Sequence, residues 1–267
     1  MLIIGERINS SRKSIEEAIS KKDTNFLIEQ ARLQIESGAD FIDVNCAVRL
    51  ENEKQDLIWL IETLQENLNI PISIDSPSPE VISAALKIHK GKAFINSTTA
   101  ESKKLSSITD VLEGKDAFII GLTMDDNGMP TSVKERVDIA KRLIDSLKGI
   151  SVNPANLYVD SLVKPISSEP QEAKRFLEAV AALKQEGINT IGGLSNVSYG
   201  LPARRILNTV FLSLASEAGI DAAIIDPVIK QQSLQKDIID LAKAALLGED
   251  AYCANYIKAF REGKLNA

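Results

Sequence analysis

Short, largely apolar runs alternate along this chain with longer stretches whose apolar residues recur every three to four positions. Those two periods separate buried strands from amphipathic helices. The strand-like runs are Leu2–Gly5, Phe41–Val44, Ile72–Ile74, Ala93–Ile95, Ala117–Thr123, Leu157–Val159, Thr190–Leu194 and Ala222–Ile225. Helical stretches fall between them near 24–37, 52–67, 79–88, 103–113, 133–148, 170–186, 203–217 and 231–246, and one more near 249–262 closes the chain. The strands are apolar on successive residues rather than on alternate ones, which suits a parallel sheet covered on both faces.

Turn chemistry agrees with these boundaries. Gly38, Gly187 and Gly219 each stand just past a helical stretch, where a left-handed residue ends a helix. Ser76-Pro77-Ser78-Pro79 places a proline in the first turn of the third helix. No linker, low-complexity segment or composition break interrupts the chain, so residues 1–267 read as one domain. Eight strand–helix units in 267 residues predict an α/β fold, a (β/α)8 TIM barrel, whose typical length is ~250 residues. The alternative is an open doubly wound sheet; the G-x-G-x-x-G that would mark a dinucleotide-binding version is missing after the first strand.

Composition narrows the class of function. A formal net charge of −6 and a pI near 5.1 argue against nucleic acid and against an anionic membrane surface. No apolar run approaches the ~20 residues of a membrane span. Met1 leads directly into the first strand, and the two cysteines, Cys46 and Cys253, are too few for a disulfide framework, so a cytoplasmic protein is expected. With His89 as the single histidine, no histidine-cluster metal site is expected. In Lys87-Ile88-His89-Lys90 it reads as a favourable charge near a helix C-terminus. Cys46, Cys253 and Trp59 read as packing residues, and Asp125-Asp126-Asn127-Gly128 as a turn without calcium-loop spacing.

Chemistry concentrates at the strand ends, where parallel α/β barrels carry it. Glu6, Arg7 and Asn9 follow the first strand, and Asp43 and Asn45 end the second. Asp75 follows the third, Asn96 and Ser97 the fourth, Thr123, Met124 and Asp125 the fifth, Asp160 and Ser161 the sixth, Ser195 and Asn196 the seventh, and Asp226 the eighth. Each of these alone reads equally well as a helix N-cap or turn former, Asp75 before Ser-Pro-Ser-Pro most of all. Acids and amides at nearly every strand end form a pattern that stability does not require. Such a mouth suits a flat heterocycle rich in donors and acceptors, such as a pterin, because a carboxylate accepts paired N–H bonds from an amino-pyrimidinone edge.

The stretches LIIGERIN (2–9), GADFIDVN (38–45), ISIDS (72–76), FINSTTAE (94–101), IIGLTMD (119–125), LYVDSLV (157–163) and GGLSNVS (192–198) resemble the pterin-binding methyltransferase family. Within it the chain is most similar to methyltetrahydrofolate:corrinoid protein methyltransferases. More distantly it resembles the folate domain of methionine synthase and dihydropteroate synthase. The resemblance implies a barrel whose mouth binds tetrahydrofolate or 5-methyltetrahydrofolate as substrate. It implies that Asp75, Asn96 and Asp160 hold the pterin and that the Asn196 amide hydrogen-bonds N5, with Asn196 and Asp160 the residues nearest the chemistry. Gly193, Ser195, Ser198 and Arg204 fall at neighbouring family positions, and Glu6, Asn9 and Asp43 join them at the mouth. The methyl group would pass between N5 and the cobalt of a cob(I)alamin/methylcobalamin-type corrinoid carried by a partner corrinoid protein, and the enzyme would be a homodimer. Tyr199-Gly200-Leu201-Pro202 departs from the more polar run of the family. The competing readings are a dihydropteroate synthase-like enzyme, disfavoured by the missing basic pair near the last strand, and a pterin-binding module without catalysis. The direction of transfer stays open at this point.

Overall fold

Each predicted strand forms and hydrogen-bonds to the next in chain order until the eighth meets the first, closing a barrel of eight parallel strands. The strands are β1 Leu2–Asn9, β2 Phe41–Asn45, β3 Ile72–Asp75, β4 Phe94–Thr99, β5 Phe118–Leu122, β6 Leu157–Asp160, β7 Asn189–Gly193 and β8 Ala222–Ile225. The structure is a computed structural model and describes residues 1–149, 152–228 and 234–265. Closure removes the open-sheet alternative.

Around the barrel lie α1 Lys13–Lys21, α2 Thr24–Glu36, α3 Glu53–Asn67, α4 Pro79–Ile88, α5 Ser102–Leu112, α6 Val133–Lys148, α7 Glu172–Gln185, α8 Arg204–Glu217, α9 Lys236–Leu246 and α10 Ala254–Arg261. The expected start of α9 at residues 231–233 lies outside the described residues. Helix α1 is an addition to the sequence reading, which passed from the first strand to residue 24. Ser78, not Asp75, caps α4: its hydroxyl accepts the Val81 N–H at 3.4 Å. Asp75 is thereby left free of a capping role. His89 also differs from expectation. Its Nε2 accepts the backbone N–H of Ile72 at 3.0 Å, and burial lowers its pKa, so it is a neutral acceptor tying α4 to β3 and not a helix-end cation.

Alternation along the strands sorts residues to two faces. One set, including Ile42, Val44, Ile72, Ile74, Ile95 and Val159, packs outward beneath the helices. The other set points inward. Its lower layer is apolar: Ile4, Phe41, Phe94, Ile120, Ile191 and Ala222, with Phe118 and Tyr158 against them. The Phe94 ring lies 4.8 Å from both Phe41 and Phe118 and 5.2 Å from Tyr158, centroid to centroid. Lys92 covers this floor from below, its Nζ 4.3 Å from the Phe118 ring and 2.7 Å from Asp116. Two residues further along six of the strands the inward side chain changes character, while β5 and β8 stay apolar with Leu122 and Ile224. Ile4 gives way to Glu6, Phe41 to Asp43, Ser73 to Asp75, Phe94 to Asn96, Tyr158 to Asp160 and Ile191 to Gly193.

Candidate active site

The mouth is thus built by a period-two pattern on β1, β2, β4 and β6, apolar below and acid or amide above, joined by Asp75 of β3 above Ser73. Registers align these upper residues, Asn45 opposite Asp75 and Asp75 opposite Asn96. Asp43 sits deepest, fully buried, its Oδ1 accepting from Ser73 Oγ at 2.7 Å and from Asn96 Nδ2 at 3.1 Å. Burial, reinforced by the neighbouring charge of Asp75, pushes the Asp43 pKa well above the carboxylate range. Burial also raises Asp75 to about 6, opposed by hydrogen bonds from the side chains of Asn45 and Asp43. Two carboxyls that hydrogen-bond to each other share a proton. The pair therefore resists full ionisation, and Asp43 is the more deeply buried of the two carboxyls.

Asp160 faces them from β6. Burial raises its pKa to about 6, against N–H bonds from Leu162, at 2.7 Å, and Gly193. Glu6 is likewise raised by burial, with the Ser195 side chain and Arg12 pulling it down. The strand-end pattern contains almost no base, yet the β1–β8 side of the mouth carries two. Arg7 pairs with Asp226 at 2.7 Å, and Arg12 reaches Asp226 at 3.5 Å and Glu6 at 3.6 Å. Arg12 escaped the sequence reading because it lies three residues past the end of β1.

After β7 the chain turns through a 3₁₀ segment, Leu194–Ser198, which carries Ser195 and Asn196 to the rim. Asn196 is exposed, and a Cβ on residue 193 would come within 3.3 Å of its Nδ2. Gly193 therefore leaves clearance for the carboxamide beside the mouth. Ser198 and Arg204, expected near the ligand, use their polar atoms to brace this turn. The Ser198 hydroxyl donates to Asn208 Oδ1 at 2.6 Å and accepts from Arg204 Nε at 3.0 Å, while Arg204 Nη2 donates to the Ser195 carbonyl at 2.8 Å. Asn9 is similarly engaged: its Oδ1 accepts the Ser11 N–H at 2.9 Å and shapes the turn after β1. The structure brings Glu6, Asp43, Asp75, Asn96, Asp160, Gly193, Ser195 and Asn196 to one opening and leaves Asn9, Ser198 and Arg204 as its scaffold. A separate groove of about 400 Å³, bounded by Met1, Ile3, Leu212 and Ile225 and touching Ser195 and Asp226, runs down the outside of the barrel wall. Its lining is shared between β1, β8, α8 and the loop after β8.

The raised carboxyls make the mouth costly at neutral pH. For Asp160 the folded pKa of about 6 exceeds the ordinary 3.8. The folded state therefore holds its proton more tightly. Stability from this group is fully present below pH ~4, falls as pH rises between ~4 and ~6, and is lost above. Its ionisation costs about 3 kcal/mol at pH 7. Asp160→Asn is expected to raise urea-unfolding stability by about 1–3 kcal/mol at pH ~8 and to lose that gain near pH ~4. A gain independent of pH would show that the carboxyl is not strained by burial.

Comparison with known proteins agrees with this geometry. Residues 5–226 match the sequence family described as pterin binding enzyme. A methylcorrinoid:tetrahydrofolate methyltransferase from Eubacterium limosum is 32% identical over 271 aligned residues, covering 99% of this chain and 98% of that protein. Methionine synthase from Mycobacterium tuberculosis is 30% identical over 84% of this chain, which spans 20% of that longer protein. Among solved structures, dihydropteroate synthase from Xanthomonas albilineans in complex with 7,8-dihydropteroate superposes with a TM-score of 0.67 at 19% identity, over 91% of this chain and 92% of that one. That likeness establishes the shared barrel.

Proposed function

Because the chain belongs to the pterin-binding enzyme family, we propose that it is a methyltransferase moving a methyl group between N5 of tetrahydrofolate and the cobalt of a corrinoid held by a partner protein. The observation that carries this reading is the 32% identity, from end to end, with a methylcorrinoid:tetrahydrofolate methyltransferase. The mouth supports it independently through its donor set. Asp75 and Asp160 are carboxylates above about pH 6 and can each accept N–H groups of a pterin edge, while Asn96 is held in place by its bond to Asp43. Asn196 stands exposed at the rim with its carboxamide available to N5.

Taken toward the corrinoid, the step breaks the N5–CH₃ bond, leaves the electron pair on N5 and joins the methyl to cob(I)alamin as methylcob(III)alamin. A tertiary amine is a poor leaving group, so N5 must gain a proton or a strong hydrogen bond as the bond breaks. Asn196 supplies a donor that strengthens its interaction as charge grows on N5. Asp43, which burial pushes toward its neutral form, and Asp160 complete the polar network around the ring. The same groups serve the reverse step, and the direction named for the Eubacterium limosum relative, from methylcorrinoid to tetrahydrofolate, is the one we assign here. A corrinoid protein partner, a homodimer and a cytoplasmic location belong to this reading. No described helix is long and apolar enough to cross a membrane.

The test mixes the purified protein anaerobically with methylcob(III)alamin and tetrahydrofolate, and separately with cob(I)alamin and methyltetrahydrofolate, and follows corrinoid absorbance. Transfer is expected in both mixtures; a protein that binds no folate by calorimetry overturns the reading. Gly193→Ala offers a finer check. The added methyl presses on the Asn196 amide at a backbone conformation alanine tolerates, so turnover should fall roughly ten- to a hundredfold with the fold intact. Unchanged turnover would detach Asn196 from that clearance.

A further inference from the structure

The opening of the barrel is acidic. Glu6, Asp43, Asp75 and Asp160 face it, Asp226 stands at its edge, and the whole chain carries a net charge of −6. A folate brings further negative charge, because its tail ends in a glutamate with two carboxylates. Hydrogen bonds can draw the ring in, but the tail needs a cation. Most arginines around this opening are already held. Arg7 Nε donates to Asp226 at 2.7 Å and its Nη1 to Gln30 at 3.3 Å. Arg49 donates to Asp56 at 2.5 Å and to Glu16 at 3.1 Å. Arg204 donates to the Ser198 hydroxyl at 3.0 Å and to the Ser195 carbonyl at 2.8 Å.

Arg12 is different. Its guanidinium stands 3.5 Å from Asp226 and 3.6 Å from Glu6, and its side chain is 41% exposed. Both separations exceed the ~2.7–2.9 Å of a charge-assisted hydrogen bond. Arg12 immediately precedes α1, yet its side chain makes no capping bond there. Two carboxylates therefore keep this cation over the rim without saturating its donors.

Its place on the ring fits the path of a folate tail. Strands β7, β8 and β1 are consecutive, with Gly193 opposite Ile224 and Ile225 opposite Gly5. Ser195 and Asp226, which follow β7 and β8, border the same groove, and Arg12 lies beside Asp226. In tetrahydrofolate the tail leaves from C6, the atom bonded to N5. A ring whose amino-pyrimidinone edge faces Asp75, Asn96 and Asp160, with N5 at Asn196, sends its tail out on the opposite side, across the rim of β7, β8 and β1.

We propose that Arg12 is the anchor for the glutamate end of the folate tail. Its guanidinium turns from Glu6 and Asp226 to a tail carboxylate and pairs with it side by side. The inference rests on the pterin reading and deepens it by assigning the end of the substrate that the strand residues do not hold. A contact on an exposed rim contributes modestly and weakens with salt. The competing cation is Lys164, on the loop after β6. That loop packs on the 3₁₀ turn from the other side, where the Ile166 N–H donates to the Val197 carbonyl at 3.0 Å.

The experiment measures anaerobic binding by calorimetry for full-length wild type, R12M, R12K and K164M. Two probes are used: tetrahydrofolate, and 6-methyltetrahydropterin, which has the ring and no tail. R12M should bind tetrahydrofolate about three- to tenfold more weakly at low salt and bind 6-methyltetrahydropterin as wild type does. The difference for tetrahydrofolate should shrink toward none near ~1 M salt. R12K should keep part of the affinity, and K164M all of it. An R12M protein that binds tetrahydrofolate like wild type overturns the proposal. Equal weakening for both probes also overturns it, since Arg12 would then act on the ring's surroundings and not on the tail. A loss confined to K164M assigns the tail to the other side of the turn and overturns it as well. A wild type that binds neither probe removes the pterin reading itself, and the anchor with it.

Discussion

Asn196→Ala lowers methyl-transfer turnover by about 10²–10³-fold while the Kd for tetrahydrofolate stays within a few-fold of wild type; this is the expected result, measured as single-turnover rates and by calorimetry. The separation follows from where the residue stands. On the proposed reading the pterin edge is held by groups on the strands themselves, Asp75, Asn96 and Asp160, all inward-facing. Asn196 belongs to the turn beyond β7, at the rim, and its interaction counts most when charge develops on N5. A donor that strengthens only as the reaction proceeds changes rate and leaves ground-state affinity nearly untouched. Asp75→Ala should do the opposite and remove binding first. Intact turnover in Asn196→Ala would mean that N5 is served by another donor, and Asp43 would be the next to test.

Phe94→Ala is expected to destabilise the protein by about 3–5 kcal/mol in urea unfolding at neutral pH. Phe94 is fully buried and sits at the centre of the barrel floor, with Phe41, Phe118 and Tyr158 around it in edge-on and stacked contact. Its removal opens a cavity that the closed strand ring cannot collapse to fill, because each strand is fixed by hydrogen bonds to two neighbours. A loss below about 1 kcal/mol would mean that the floor is loosely packed and that the outer layer beneath the helices carries the stability.

The fold was readable because a sheet covered on both sides makes strands apolar on successive residues, as in Ile72–Ile74. The same argument explains what was misread. Strand β1 runs on to Asn9 through Glu6 and Arg7, and β4 runs on to Thr99 through Asn96 and Ser97. Polar residues that face the mouth look like the end of a strand when only apolar runs are sought. Helix α1 was hidden for a related reason: nine residues, Lys13–Lys21, with only Ile15, Ala18 and Ile19 buried, give little apolar signal. The mouth residues were legible as a set because the barrel gathers strand ends at one opening. Which of them brace the turn after β7 was not, since Ser195 and Ser198 are the same amino acid in one short turn. Arg136 of α6, buried against Glu172 of α7, did leave a trace. It occupies the first position of the buried stripe that continues through Ile139, Ala140, Leu143 and Leu147, so a charge stands where the helical period asks for an apolar residue.

The aromatic floor has a consequence for traffic. With Phe41, Phe94, Phe118 and Tyr158 sealing the lower end and Lys92 beneath them, the barrel is a cup with a single opening. Both substrates of a group-transfer step must then come and go through the same door. The one seated deeper arrives first and departs last, and the larger one acts as a stopper while it is docked. Steady-state kinetics should follow a compulsory order, with the folate as the leading substrate.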